Sequence, residues 1–371
     1  MDQEIADGHG ETGWVDVGVD VGSDDRSIDR TGTGTVVSGS IPGTHRERYG
    51  PADDTDSDRS TRHLRELYTD VSLEPVYADE RLYAVSDGSL VALEADGSGR
   101  AWTFSTSEEP ASSAVVYGGL IYWRTEGTLH AIRSEHGDGC WSTPTTASIR
   151  GPPVANDELV VTTARSGAVS VVTAEYGRAV RSFRPPHRPS SATLADGDLY
   201  VTSLEGGIAA YDATAGTERW RFAPNCAMFA PPVVDAEAVY VSTVDDGGVC
   251  ALDRETGGPR WSQRVGSSVW TRPLVSADTV FVGGDDGTLV AIRPADGVEL
   301  WTTVVPERLT SEPVLVGDTL YVGCTDGMYA MHPETGVIRR RFELCGDVAV
   351  VPGSDSVFVR DQRGSLFVAS V

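Results

Sequence analysis

The side chains able to act as nucleophiles or metal ligands are few and widely spaced in this 371-residue chain. No two cysteines are adjacent or form Cys-x-x-Cys, and no histidines have His-x-x-His or His-Glu-x-x-His spacing. A Gly-x-Ser-x-Gly nucleophile elbow and a Walker A loop are also missing. We therefore predict no catalytic residue, no metal and no cofactor. Free thiols, buried or partly exposed, are expected at all five cysteines: Cys140, Cys226, Cys250, Cys324 and Cys345.

Acidic residues are clustered in two ways that could attract cations. Asp54, Asp56 and Asp58 resemble the start of an EF-hand calcium loop, but Arg59 and Arg65 occupy the positions that need Gly and the bidentate Glu. A second set lies beside turn glycines, where turn chemistry alone explains the carboxylates: Asp87, Glu126, Glu205, Asp246, Asp286 and Asp326. Neither set is predicted to hold a metal.

Aromatic and arginine residues offer a different chemistry, that of a binding surface. Phe229 and Trp270 each lie nine residues after a tryptophan of a repeated motif, and Arg150 has the same offset. Aromatic and Arg side chains on one face are typical of interaction hot spots. We predict that a protein or peptide partner contacts Arg150, Phe229, Trp270, Arg272 and Glu312, the alternative being that some of them only fill a channel mouth. Phe229 and Trp270 should be neighbours, and Trp270 and Arg272 should share one side of a strand.

One repeated unit must position these residues. Its turn glycines recur eight times at intervals of about 40 residues: Gly88, Gly127, Gly167, Gly206, Gly247, Gly287, Gly327 and Gly364. In residues 286–301 the unit reads as a type I′ turn at Asp286-Gly287, an alternating strand, a second Gly turn and a strand ending in Trp. A period near 40 residues with four strands per copy predicts an all-β, eight-bladed β-propeller of four-stranded blades.

The strands of each unit have two recurring features. Pairs such as Val239-Tyr240 predict strands that alternate between a buried and an exposed face. The fourth strand carries a Trp, generally four residues after a Gly, which can cover the gap between blades and reach a backbone carbonyl with its N–H. We assign this structural docking role to Trp102, Trp141, Trp220, Trp261 and Trp301.

The consensus Asp-Gly-x-Val-x-Ala-Leu-Asp-x-x-Thr-Gly-x-x-x-Trp resembles the pyrroloquinoline-quinone-type (PQQ-like) propeller repeat, most closely at residues 251–261 and 210–220. The resemblance covers about residues 71–371 and implies the fold. The family includes quinoprotein alcohol dehydrogenases, which place a vicinal cysteine pair over the quinone; no such pair occurs here. The resemblance to BamB-like members implies instead a protein or peptide laid across the channel face.

The eighth repeat lacks a fourth strand, which residues 62–68 could supply. An N-terminal strand would thereby close the last blade and leave no open sheet edge. Regular spacing places His63 at the docking position, and a shorter loop places Tyr68 there. We accordingly divide the chain into an acidic, disordered tail over residues 1–60 and a propeller over residues 61–371.

The charge of the chain limits its partners and environment. The net charge is −25, and every basic residue is Arg. Such a surface disfavours nucleic acid and anionic membranes, and it fits a halophilic archaeal protein whose self-repulsion is screened by molar salt. No signal peptide or apolar span is visible, so we expect a cytoplasmic monomer without membrane insertion, or an extracytoplasmic protein if the start site is wrong.

These observations favour a non-catalytic binding or scaffold propeller. Two alternatives stay open. One is a redox enzyme that uses the central channel as a pocket for a quinone or another small molecule. The other is a ligand-sensing domain whose signalling partner is a separate chain.

Overall fold

The computed structural model describes residues 64–145, 149–224 and 226–370. Within these ranges the chain forms strands and turns, and no helix there is long and apolar enough to cross a membrane. The predicted tail over residues 1–60, with its Asp54, Asp56 and Asp58 motif, lies outside the described residues and stays a prediction.

The strands are numbered in chain order and grouped into eight blades. Blade 1 contains β2 (Val76–Ala78), β3 (Arg81–Ser86), β4 (Ser89–Glu94) and β5 (Arg100–Phe104), and blade 2 contains β6 (Val115–Tyr117), β7 (Leu120–Arg124), β8 (Thr128–Arg133) and β9 (Gly139–Pro144). Blade 3 contains β10 (Ile149–Ala155), β11 (Leu159–Ala164), β12 (Val169–Thr173) and β13 (Ala179–Phe183), and blade 4 contains β14 (Pro189–Ala195), β15 (Asp198–Ser203), β16 (Gly207–Asp212) and β17 (Glu218–Phe222). Blade 5 contains β18 (Val233–Val234), β19 (Ala238–Thr243), β20 (Gly248–Asp253) and β21 (Pro259–Arg264), and blade 6 contains β22 (Leu274–Val275), β23 (Val280–Gly283), β24 (Thr288–Ile292) and β25 (Glu299–Val304). Blade 7 contains β26 (Val314–Val316), β27 (Thr319–Cys324), β28 (Gly327–Met331) and β29 (Ile338–Glu343). Blade 8 contains β30 (Ala349–Pro352), β31 (Ser356–Arg360) and β32 (Leu366–Ser370), together with the N-terminal strand β1 (Leu64–Tyr68).

Each blade is one antiparallel sheet, and the strands of blades 1 to 7 pair in chain order. In blade 6, Phe281 of β23 lies opposite Ala291 of β24, which lies opposite Trp301 of β25. The first strands of neighbouring blades contact one another, as β10 does β14 and β26 does β30. First strands therefore surround the central channel. The predicted eight-bladed propeller of four-stranded blades is confirmed.

Apolar clusters fill the space between neighbouring sheets. One joins Tyr240 and Val249 of blade 5 to Val280 and Val290 of blade 6. The middle strands are buried on both faces, and all six residues of β11 are buried. The predicted alternation between a buried and an exposed face is therefore wrong for these strands. Each sheet has a neighbour on both sides, whereas alternation needs one face in water.

The turn at Gly287 also differs from the prediction. Asp286 keeps a negative φ, while Gly287 has a φ of 85°. The Gly284 N–H donates to the Thr288 carbonyl at 2.7 Å, so the loop inside this bond holds three residues, Asp285 to Gly287, and a type I turn followed by one left-handed Gly closes it. A type I′ turn occurs instead at Asp87-Gly88, where φ is 50° and 72°.

The five tryptophans of the fourth strands all contact the next blade. The indole N–H of Trp301 donates to the Pro333 carbonyl at 2.8 Å, and a Cβ on Gly336 would meet the Trp301 ring at 2.5 Å. Equivalent hydrogen bonds of 2.7–3.0 Å join Trp102 to Ser134, Trp141 to Ala174, Trp220 to Arg254 and Trp261 to Pro294. Glycine is required in each receiving turn because the ring occupies the space of a side chain.

The N-terminal strand closes blade 8, as predicted. β1 pairs antiparallel with β32, and Leu64 lies opposite Ala369. The docking residue is Arg65, however, and not Tyr68, while His63 lies outside the described residues. Arg65 donates from Nη2 to the Asp96 carbonyl of blade 1 at 2.8 Å. Regular spacing failed because the connection from this strand to blade 1 is shorter than its counterparts, and the shorter-loop alternative failed because the connection is not short enough to bring Tyr68 to the docking position.

Candidate functional site

The candidate residues lie on one face of the ring, which we call the channel face. It is formed by the connections from each fourth strand to the next first strand and by the turns between second and third strands. In blade 6, Asp285 accepts the N–H of Ser268 at 3.1 Å, and Asp286 accepts the N–H of Ser267 at 3.1 Å. These bonds join the connecting segment to the turn of the same blade. The carboxylates beside the turn glycine are thus used for local structure.

Two exposed aromatic side chains form a pair on the channel face. Phe229 is 44% exposed and Trp270 is 48% exposed. Their ring centroids are 5.8 Å apart with an interplanar angle of 68°, a favourable edge-to-face arrangement. Met228 and Val269, the preceding residues, are buried and anchor the main chain below the two rings. The neighbour relation expected from the equal offsets of Phe229 and Trp270 is confirmed.

The two candidate arginines, Arg150 and Arg272, are placed differently from the aromatic pair. Arg150 lies in β10 opposite Thr163, in blade 3, and blade 4 separates it from the blade of Phe229. Trp270 and Arg272 precede β22, which begins at Leu274. We predicted that Trp270 and Arg272 share one side because they alternate along a strand. That reason is wrong, since both residues lie outside any strand.

Three charged residues lie on the channel face, just before the first strands of three blades. Glu74, Arg272 and Glu312 each directly precede a proline, in blades 1, 6 and 7. Burial raises the pKa of Glu312, and the Arg272 guanidinium partly opposes that shift. Burial also raises the pKa of Glu74, the charge of Glu312 raises it further, and Arg360 opposes both. Glu312 is half-buried and Glu74 is exposed, and the ionised forms of both carboxyls are incompletely neutralised.

A cleft opens on the same face across blades 8, 1 and 2, with a volume of about 620 Å³. Charged residues of both signs line it, including Asp70, Asp87, Glu109, Arg360 and Arg363. Sequence reasoning missed this cleft because its walls come from segments near opposite ends of the chain. The positive φ of Asp70, 61°, is a conformation that sequence does not reveal.

The thiols are divided between the core and the surface. Cys226, Cys250 and Cys324 are buried, Cys345 is half-buried and Cys140 is exposed. Burial raises the pKa of Cys226 and of Cys250 to about 12, and that of Cys324 to about 11. Such thiols are poor nucleophiles at neutral pH. Among the described residues, no three His, Cys, Asp or Glu side chains converge as a metal site would require.

Solved structures of other proteins share the fold. The chain resembles BamB from Moraxella catarrhalis with a TM-score of 0.69 and 19% identity, over 83% of this chain and 98% of that one. It resembles a quinohemoprotein alcohol dehydrogenase from Comamonas testosteroni with a TM-score of 0.63 and 13% identity, over 87% of this chain and 78% of that one. At these identities the likeness concerns the fold alone.

Sequence comparison adds a relative and a family. A serine/threonine-protein kinase, AfsK of Streptomyces griseus, is 27% identical over 171 residues, 42% of this chain. The match spans only 21% of the length of that kinase. The family described as outer membrane protein assembly factor BamB matches residues 60–204 and 204–370, nearly all of the propeller. The chain therefore belongs to the BamB-type family of PQQ-repeat β-propellers.

Proposed function

We propose that the chain is a non-catalytic binding or scaffold propeller that holds a protein partner on its channel face. The observation that carries this proposal is the exposed pair of Phe229 and Trp270. Large rings with two side-chain torsions bury much apolar area at little cost in conformational entropy. Residues of this kind dominate the binding energy of protein interfaces.

The charges on the same face support the same use of the surface. Glu312 is a half-buried carboxyl whose burial Arg272 only partly offsets, and the exposed Glu74 is close enough for the charge of Glu312 to raise its pKa. A partner's cationic side chain placed between them would pair with carboxylates that are already partly desolvated. The family description, an assembly factor, also suggests a protein rather than a small molecule as partner.

Removal of both rings tests the proposal. The partner is first captured with the wild-type chain from native lysate in molar salt, purified, and titrated by calorimetry. We expect Phe229→Ala/Trp270→Ala to weaken binding at least about 30-fold, since truncating a hot-spot aromatic costs about 2 kcal/mol or more. The matched control is Tyr176→Ala. Tyr176 is 56% exposed and lies in a turn between a third and a fourth strand, on the opposite face.

Circular dichroism must show that all variants melt alike. Equal affinity of the double variant and the wild type would show that the aromatic pair only covers the channel mouth. A loss of affinity in Tyr176→Ala as large as in the double variant would place the interface on the other face.

The likeness to AfsK favours a second candidate, a ligand-sensing domain that acts on a separate signalling chain. Such a domain would bind a small molecule in the channel. A thermal-shift screen of metabolites against the wild type and Glu312→Gln would test it, because only channel ligands should lose their effect in the variant. The redox alternative is tested by titration with pyrroloquinoline quinone, in which a bound quinone changes its absorbance.

A further inference from the structure

The last residue of β7, Arg124, is a fully buried cation with most of its hydrogen-bonding capacity unused. Its exposed fraction is 0%. Its Nη1 donates to the Gly151 carbonyl of blade 3 at 3.0 Å. Nε and Nη2 are also buried, and they have no acceptor among the residues that the structure describes. These two nitrogens lie on one edge of the planar guanidinium, where their N–H bonds point in parallel.

Blade 8 shows how this fold position is satisfied elsewhere. Arg360 ends β31 as Arg124 ends β7, and each lies opposite a leucine two residues after the turn glycine, Leu366 and Leu129. Arg360 donates from Nε to the Val71 carbonyl at 2.8 Å and from Nη2 to the Ser72 carbonyl at 3.3 Å. The same guanidinium edge therefore has two acceptors in blade 8 and none from the described residues in blade 2.

None of the described residues offers Arg124 a compensating charge. Burial lowers the pKa of Arg124 to about 10, and no carboxylate of the described residues opposes that effect. The side chain therefore stays protonated at neutral pH. A buried cation without a counter-charge is strongly destabilising. The ring of Trp123 does not stabilise this cation either. Trp123 precedes Arg124 on the strand and therefore points to the opposite face of the sheet, where its ring lies against Phe104 and His130.

We propose that the Nε–H and Nη2–H edge of Arg124 binds a small monovalent anion of the halide class between blades 2 and 3. Two parallel donors on a delocalised cation provide charge-assisted hydrogen bonds to such an ion. The complete burial of Arg124 favours an ion of atomic size over a phosphate or a nucleotide. This proposal is independent of the partner-binding function on the channel face.

Chloride itself is the probe, used with the full chain. Sodium gluconate is replaced stepwise by sodium chloride at constant ionic strength, so that screening of the −25 net charge does not change. Ligand linkage predicts that, above the dissociation constant, each tenfold rise in chloride raises the wild-type melting temperature by about 2 °C. Arg124→Met should abolish this slope. Arg360→Met, the matched loss of an arginine from the same fold position, should retain it.

The line width of the ³⁵Cl resonance gives a second measurement. Wild type and Arg360→Met should broaden it, and Arg124→Met should not. If Arg124→Met fails to fold, Arg124→Lys replaces it, because Lys keeps the charge but lacks the paired donors. A wild type without a chloride-dependent slope, or an unchanged slope in the Arg124 variant, would overturn the proposal and leave water as the acceptor.

Discussion

At the scale of single residues, the docking position of the fourth strand requires a flat side chain with an N–H donor. Trp301 meets both requirements, since its ring covers Gly336 and its N–H reaches a carbonyl. Arg65 meets them in blade 8 with a planar guanidinium over Gly97. Arg181 and Arg340 hold the same register position in blades 3 and 7. Arg65 is therefore a substitute for tryptophan that keeps the contact with the next blade.

The channel carboxyls lead to a prediction about pH. Because burial raises the pKa of Glu312 above its ordinary value of 4.5, ionising this group is harder in the folded chain than in the unfolded one. The resulting loss of stability is absent below the ordinary pKa and develops fully as pH rises through the raised one. Glu312→Gln should therefore raise the melting temperature at pH 8 and leave it nearly unchanged at pH 4, as measured by circular dichroism.

The exposed residue Glu334 provides the control, and Glu334→Gln should show no such difference between the two pH values. A Glu312→Gln variant that melts lower than wild type at pH 8 would contradict the prediction. It would mean that attraction to Arg272 outweighs the cost of burial. A higher melting temperature would instead mark Glu312 as a residue retained at the expense of stability, as functional residues often are.

At the scale of the elements, repeat spacing predicted more than strand chemistry did. The 40-residue period gave the number of blades, and the nine-residue offset placed Phe229 beside Trp270. Loop geometry was not predictable: one residue more in a loop changed the turn at Asp286, and a shorter connection brought Arg65 to the docking position. The burial of Arg124 was hidden too, because strands covered on both faces carry no polar alternation to mark their interior.

Ring closure can be tested by two truncations. Removing residues 1–50 should leave the melting temperature nearly unchanged. Removing residues 1–69 deletes β1 and exposes the edge of β32, with the loss of a ladder of hydrogen bonds worth about 1 kcal/mol each. We expect that variant to melt far lower and to aggregate, as followed by calorimetry and light scattering. Equal melting of the two truncated chains would show that β1 contributes little to closure.

At the scale of the whole molecule, charge dominates the behaviour expected in solution. The 55 acidic residues outnumber the 30 basic ones, so the net electrostatic interaction among the charges of the chain is repulsive. Several ion pairs, such as Arg260 with Glu237 at 3.0 Å, are too exposed to add much stability. The cores between blades must therefore hold the ring together against a repulsion that only salt reduces.

The dependence on ionic strength follows directly. We expect the melting temperature to fall as potassium chloride is lowered from molar to dilute concentrations, because carboxylates then lose their screening. Far-UV circular dichroism measures the transition. Potassium gluconate at the same ionic strength should restore most of the loss, which separates general screening from chloride binding. A melting temperature that does not change with ionic strength would rule out adaptation to high salt.

The pairing of β1 with β32 also determines when the ring can form during translation. Some 300 residues separate the two strands. At roughly 5–20 residues per second, β1 leaves the ribosome about 15–60 s before its partner exists. Charged residues such as Arg65 and Glu66 on this short strand would discourage other edges from pairing with it in that interval. A ribosome that stops before Leu366 therefore releases a chain in which seven blades can fold but the ring cannot close, because β1 has no strand to pair with.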